Sequence, residues 1–412
     1  MSATFDTTAA GYVTRQPEIV ELVRNLRQEC AGKVFSDVVD DEGHQYVDLV
    51  MEGGGVLGLA LAGYTYLLEE MGIRFLRIGG TSVGSINALF LASLGPPAEA
   101  KSEKVIAEMI SLDMLSVLDG DDDALEFVEA VVEKRNWLTT AVAFLQAWDT
   151  VRDDLGLVPG ERFVGWLASV LGRGGINTYR QLEARLRELP EGLRLRDGRL
   201  LTVEEARPAL AVVATDVTTQ SKVELPRMAS LYWHDPDAVN PALFTRASLS
   251  IPFFFQPFKK ADIPQGPEAE ERWRRFVGYY GPVPTECALV DGGIVSNFPI
   301  GLFHQPRTVP HAPTFGVKFH AVRHQQVDEP LSLFGAVFNA ARRCLDFDFI
   351  TRNPDYRKLV SYIEPGPHYW LDFGMGKEER RDLFLRGARA AASFLVDFDW
   401  DNYKHMRSKA LS

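Results

Sequence analysis

Cysteine is scarce: Cys30, Cys287 and Cys344 are the only thiols in 412 residues. An odd number of widely spaced cysteines builds neither a disulfide framework nor a CxxC metal or redox motif, and it fits a reducing, cytoplasmic compartment. Residues 1–17 lack the basic stretch and apolar run of a cleavable secretory signal. Long apolar runs are missing as well. The longest uncharged stretch, residues 78–98, is broken by Gly79, Gly80, Gly84, Asn87, Gly95, Pro96 and Pro97, and makes a poor membrane span. Positive charge is in deficit, 44 Lys and Arg against 56 Asp and Glu, for a net charge of −12. That balance repels nucleic-acid phosphate and gives no general attraction to anionic lipid, so any membrane contact is local and peripheral.

What is present is the composition of a folded protein, 46% apolar and 24% charged. At roughly 150 residues per domain the length allows two to three units, or one large α/β domain with additions. After a leader and a short amphipathic helix within residues 1–45, the stretch 46–51 reads as a strand, 53–55 as a glycine loop and 56–71 as a helix. A second strand at 73–78, a tight turn and an apolar helix follow. Strand, turn and helix twice in succession predict a mainly parallel central sheet sandwiched by helices. Residues 101–189 read as a helical insertion, with loops at 119–123, 155–160 and 172–177. Further buried strands are expected at 209–216, 287–290 and 314–320, with 266–273 and 282–284 as surface loop and 377–400 as a helix before a frayed end. The main unit is therefore placed at 46–310, with 311–412 completing the fold.

Two glycine-rich turns carry the chemistry. The run from Gly53, Gly54 and Gly55 to Gly58 satisfies G-x-G-x-x-G between strand and helix, yet strand 73–78 ends without the acidic residue that a dinucleotide ribose needs. The alternative use of such glycines is a cradle of N–H groups for a developing negative oxygen. Gly80-Thr81-Ser82-Val83-Gly84 is a G-x-S-x-G between strand and helix, the context of a nucleophile elbow with Ser82 at its apex. A serine needs a base. The candidates are a downstream histidine among His304, His311, His320, His324 and His368, or Asp291, which with Gly292 and Gly293 follows the apolar strand 287–290.

In this order the three motifs resemble the patatin-like phospholipases, bacterial members above all, from about Asp48 to Lys318. Further matching text includes 156–160, 214–219, 246–254 and Ser296-Asn297-Phe298-Pro299. The resemblance implies lipid acyl-ester hydrolysis of phospholipase A or lysophospholipase type through an acyl-enzyme. It assigns Ser82 as nucleophile, Asp291 as proton acceptor, the glycine loop as oxyanion hole, and no metal or other cofactor. An acyltransferase on the same dyad and a histidine-dependent esterase are the alternatives. One departure stands out: Leu57 occupies the position where the family usually carries Lys or Arg, which leaves the headgroup open.

Other features carry less. The acidic run at 119–123 resembles a calcium loop but has Ala124 and Ala130 where Gly and Glu are required. Trp137, Phe144, Leu145 and Trp148 share a helical face and read as core of the insertion. The segment 251–258, Ile-Pro-Phe-Phe-Phe-Gln-Pro-Phe, has two possible places, at a lipid interface or in the core beside the sheet.

Overall fold

The computed structural model of the chain describes residues 5–113, 115–117, 119, 155–320, 340, 344, 346–368, 372 and 374–411. Trp137, Phe144, Leu145, Trp148, the acidic run beyond Asp119, and His324 lie outside the described residues.

The strands in chain order are β1 (Val38–Val39), β2 (Gln45–Met51), β3 (Ile73–Thr81), β4 (Gly156–Val158), β5 (Arg194–Leu195), β6 (Ala209–Asp216), β7 (Ser221–Leu225), β8 (Phe253–Phe255), β9 (Phe258–Ala261), β10 (Glu286–Asp291), β11 (Thr314–Phe319) and β12 (Val360–Ile363). Ten of them form one sheet whose spine runs β12-β11-β2-β3-β6-β10-β9. The first five of that order are parallel, while β10, β9 and β7 are antiparallel to their neighbours, so the sheet is mixed. The fold is α/β, with helices flanking the sheet.

Ten helices are used below: α1 (Pro17–Glu29), α2 (Gly58–Glu70), α3 (Val83–Ser93), α4 (Ser102–Ser111), α5 (Glu161–Arg173), α6 (Tyr179–Leu186), α7 (Ala242–Ser248), α8 (Pro267–Val277), α9 (Lys377–Asp397) and α10 (Trp400–Leu411). Helices α2 and α3 follow β2 and β3 and are apolar on all sides. Every residue of α3, and all of α2 up to Glu69, is buried. A helix that is hydrophobic all round needs a second layer over it. Here α4 and α9 cover α2, and α6 packs on α3. Val105, Ile106, Leu167, Val170 and Leu182 of the expected insertion thus join the core of the sheet.

Three local expectations are corrected. Residues 155–160 hold β4, which pairs in parallel with β8, Gly156 opposite Phe253 and Val158 opposite Phe255. Buried Arg246 ties this pair down by donating to the carbonyl oxygens of Pro159 (2.6 Å) and Gln256 (2.9 Å), and burial lowers its pKa to about 10. Residues 267–277 form α8 rather than loop. Pro267 opens it, Glu268 and Glu270 sit in its first turn, Arg274 and Arg275 in its last, and left-handed Gly278 ends it, all favourable to a helix. The alternation of charge hides the face that buries Ala269 and Trp273. The end of the chain is likewise a second helix, α10, which buries Trp400, Tyr403 and Arg407.

The segment 251–258 does not form an exposed apolar patch. Phe255 is buried against Phe163 at 6.3 Å between ring centroids, and Ile251, Phe254 and Phe258 are half-buried. Phe255→Ser is therefore expected to lower stability by about 3 to 5 kcal/mol, the range for deleting a buried phenylalanine, and calorimetry should show a lower Tm. An unchanged Tm with lost vesicle binding would return the segment to the interface.

Candidate active site

Strand β6 has two edges. Strand β7 pairs along Val212 to Asp216 on one of them. The other edge is shared: β3 runs parallel as far as Thr81 opposite Val213, and β10 runs antiparallel as far as Asp291 opposite Ala214. The two strands meet end to end, and Ser82 and Asp291 arrive at the level of Ala214 from opposite directions. The mainly parallel sheet expected from the sequence would have strand 287–290 run alongside β3 instead. The apolar run Ala288-Leu289-Val290 does not encode strand direction, and β10 is antiparallel because it pairs back on β9.

Ser82 occupies φ 52°, ψ −127°, a conformation costing a non-glycine residue about 1 to 3 kcal/mol. Neighbouring groups hold it there. Its N–H donates to Ser248 Oγ (2.9 Å), whose hydroxyl donates to Val213 O (2.6 Å). Its carbonyl accepts from the N–H (2.8 Å) and Oγ (2.6 Å) of Ser85. Gly84 lets the start of α3 press onto the end of β2: a Cβ there would lie 2.4 Å from Met51 O and 2.7 Å from Glu52 O. Gly80 is pressed against Gly84 from the other side of the turn. Ser82 itself is 3% exposed, at the N-terminus of α3.

Gly53 lies directly against the elbow, since a Cβ on it would come 3.0 Å from Ser82 Cβ and 2.6 Å from Asn297 Oδ1. Its own N–H donates to Asn297 O at 3.0 Å. This narrows the expected oxyanion cradle, because a committed N–H is not available to a substrate oxygen; Gly54 and Gly55 are the candidate donors left in the loop. Gly58, further on, packs α2 against Val83. Leu57 is buried in the core, a place unsuited to the cation of the family pattern.

Asp291 is buried and fixed from several sides. Its Oδ1 accepts from Gly293 N–H (2.6 Å), its N–H donates to Ser250 O (2.8 Å), and its carbonyl accepts from Thr215 Oγ1 (3.0 Å). Gly292 touches the carbonyl of Val213, which a Cβ would approach to 2.1 Å. The described histidines engage elsewhere. His304 Nδ1 pairs with Tyr356 OH (2.8 Å), His320 Nδ1 with Glu364 (3.3 Å) and His368 Nε2 with Asp382 (2.7 Å), while His311 lines a polar cavity beside Asp48 and Arg77.

Three partners escaped the sequence reading: Ser248, Thr81 and Asn297. Asn297 Nδ2 donates to Gly53 O (3.0 Å) and Glu52 Oε1 (3.1 Å), and Thr81 Oγ1 donates to Ser296 O (2.9 Å). The only signal for Ser248 and Asn297 was their place in text matching a family, which assigned them no task. Beside the elbow opens an apolar cavity, lined by Gly55, Val83, Ile86, Trp166, Phe255 and Leu383 among others. Arg380 is its one cation among the described residues, and its Nη1 donates to Ile110 O (3.1 Å).

A family model described as patatin-like phospholipase matches residues 49–304, more than half of the 412. The chain belongs to the patatin-like phospholipase family. Membership implies lipid acyl hydrolase activity. The chain is also 28% identical over 360 residues to YqhO of Bacillus subtilis (strain 168), described as an uncharacterized protein, with 86% of this chain and 100% of that one covered. Among solved structures it is similar to VipD from Legionella pneumophila, with a TM-score of 0.40 and 15% identity over 88% of this chain and 70% of that chain. It is also similar to a chain of the heterodimeric ExoU–SpcU complex from the type III secretion system of Pseudomonas aeruginosa, with a TM-score of 0.31 and 17% identity over 85% of this chain and 51% of that one. The patatin-like match holds all three glycine motifs. Strands β11 and β12 and helix α9 lie beyond it, yet the strands complete the sheet and α9 lines the cavity through Arg380 and Leu383. Among the described residues no helix is long and apolar enough to cross a membrane.

Proposed function

We propose that this chain hydrolyses lipid acyl esters, as a phospholipase A or lysophospholipase, with Ser82 as nucleophile and Asp291 as proton acceptor. The observation that carries this reading is the end-to-end meeting of β3 and β10 on one edge of β6. Ser82 Oγ attacks the ester carbonyl carbon while its proton passes to Asp291. The N–H groups of Gly54 and Gly55 hold the oxygen that becomes negative. The bond to the alcohol breaks, the alcohol leaves with the proton from Asp291, and the acyl group stays on Ser82. Water then gives a proton to Asp291 and attacks the acyl-enzyme. The fatty acid departs as Ser82 regains its proton. The apolar cavity beside Gly55 and Val83 suits the acyl chain.

The test is incubation with a panel of phospholipids, lysophospholipids and acylglycerols, with products read by mass spectrometry and Ser82→Ala as control. Free fatty acid formed only by the unaltered chain supports the reading. Transfer of the acyl group to a second lipid makes the chain an acyltransferase on the same dyad, and no Ser82-dependent product overturns both. Because a carboxylate takes the proton and backbone N–H groups hold the oxyanion, the rate is expected to persist in excess EDTA. A loss that calcium restores on a soluble monomeric ester would count against this mechanism.

A further inference from the structure

The turn at 296–298 is bonded to all three motifs at once. Ser296 O accepts from Thr81 Oγ1 (2.9 Å), next to the nucleophile. Asn297 binds Gly53 in both directions, its carbonyl accepting the Gly53 N–H (3.0 Å) and its Nδ2 donating to Gly53 O (3.0 Å). Ser296 N–H donates to Gly292 O (2.9 Å), one residue past Asp291. Two carboxylates fasten the turn: Glu52 Oε1 accepts from Asn297 Nδ2 (3.1 Å), and a distant one holds the residues on either side of Asn297. Asp346 Oδ1 accepts from Ser296 Oγ and Oδ2 accepts from Phe298 N–H, each at 2.7 Å, and Asp346 is 6% exposed.

Resting on the Ser82–Asp291 reading above, we propose that Asp346 is a positioning residue for the reaction, which clamps the 296–298 turn and through it sets the elbow, the glycine loop and the Asp291 turn relative to one another. It lies beyond residues 49–304, outside the part of the chain that matches the family. Ionised, Asp346 is acceptor-only and meets two donors. A protonated carboxyl is neutral and carries one O–H, so the Ser296 hydroxyl must turn to accept it and Phe298 N–H is left with an uncharged, weaker acceptor. Among the described residues the charged groups facing it are Glu52, just past β2, and Lys318 of β11; the 296–298 turn brings none, and Asp348 on its own segment pairs with Arg352. Burial is the largest influence and pushes the Asp346 pKa up to about 6, with Glu52 acting in the same direction and the two hydrogen bonds and Lys318 opposing.

The sign of the two consequences differs. A carboxyl whose folded pKa stands above its unfolded value of 3.8 binds its proton more tightly when folded, so lowering the pH through about 6 favours folding at this site. The same protonation loosens the clamp. Activity and the stability contributed here therefore move apart below pH 6, whereas a merely structural role would move them together.

The test uses a short soluble ester, with kcat and KM followed from pH 4.5 to 8.5 in the full chain, Asp346→Asn, Ser296→Ala and Ser82→Ala. The rate of fluorophosphonate labelling at Ser82 is measured in parallel. At pH 8, Asp346→Asn is expected to lower kcat and labelling about 10-fold with KM little changed, because the neutral amide replaces two charge-assisted bonds with weaker ones and the turn is held less firmly. Ser296→Ala keeps the Phe298 link and is expected to lose less. The fall in kcat near pH 6 should be present in the unaltered chain and missing from Asp346→Asn; loss set by Asp291 itself is common to both. An Asp346→Asn chain within twofold of the unaltered one at pH 8, or with the same fall near pH 6, overturns the role of Asp346 alone. Absence of any Ser82-dependent turnover or labelling overturns the dyad, and the role of Asp346 with it. If Asp346→Asn fails to fold, Ser296→Ala decides: wild-type kcat and an unchanged pH profile in that variant refute the clamp.

Discussion

Ser82→Ala is expected to lower ester hydrolysis by roughly four to six orders of magnitude, and Asp291→Asn by about four, each with the fold intact. Alanine at position 82 removes the atom that bonds to the acyl group in the proposed reaction, while the N–H bond to Ser248 and the carbonyl bonds to Ser85 are backbone contacts that alanine keeps. Asparagine at 291 retains an oxygen to accept from Gly293 N–H, so the turn survives while the proposed proton acceptor is lost. Since both residues serve one proton transfer, the double variant is expected to be little worse than the weaker single one. Initial rates on a soluble ester, with circular dichroism as the control for folding, provide the measurement. Single replacement of His304, His320 or His368 should leave most of the rate, because each pairs with Tyr356, Glu364 or Asp382. A histidine as essential as Ser82 would transfer the base to that residue.

Those residues were legible in the sequence because each motif states a local demand of the backbone. Small residues on both sides of Ser82 answer to a turn so tight that Gly84 rests on Met51 O. An aspartate followed by Gly292 answers to a strand end that touches Val213 O. Asp346 made no such local demand. It lies 50 residues from Ser296 in the chain, and nothing in its own neighbourhood betrays the donors it meets. Nor did the committed N–H of Gly53 appear in the glycine pattern, which shows where chain can turn and not where its donors point.

The fold shows the same division. The parallel unit of β2, α2, β3 and α3 was readable from apolar runs punctuated by glycine, since both strands and both helices are buried but for Gln45, Glu70 and Arg77. Strand β4 has only three residues and begins with glycine, so its partner β8 defines it rather than its own pattern. The direction of β10 depends on a pairing with β9, which α8 separates from it in the chain. Helix α10 reads as a polar tail until Trp400 and Tyr403 are seen stacked 5.5 Å apart, with Arg407 buried beside Asp355.

Gly84→Ala should cost about 100-fold in rate, although it adds a single methyl group. The methyl carbon would lie 2.4 Å from Met51 O and 2.7 Å from Glu52 O, and both are backbone atoms of a central strand and its exit, unable to swing aside. Relief requires α3 to slide off the end of β2. That movement carries Ser82, at the N-terminus of α3, away from Gly53, which follows Glu52. Overpacking of this kind costs about 1 to 3 kcal/mol, and a shift of about 1 Å in the reacting groups can cost 100-fold in rate. Gly165→Ala supplies the opposite case. It sits inside α5 with no atom within 4 Å of the added methyl, so alanine should stabilise the helix by about 0.5 to 1 kcal/mol and leave the rate unchanged. Denaturant melts and initial rates on both variants decide the matter: a Gly84→Ala chain with unaltered stability and turnover would mean that α3 and β2 do not meet as closely as the elbow requires.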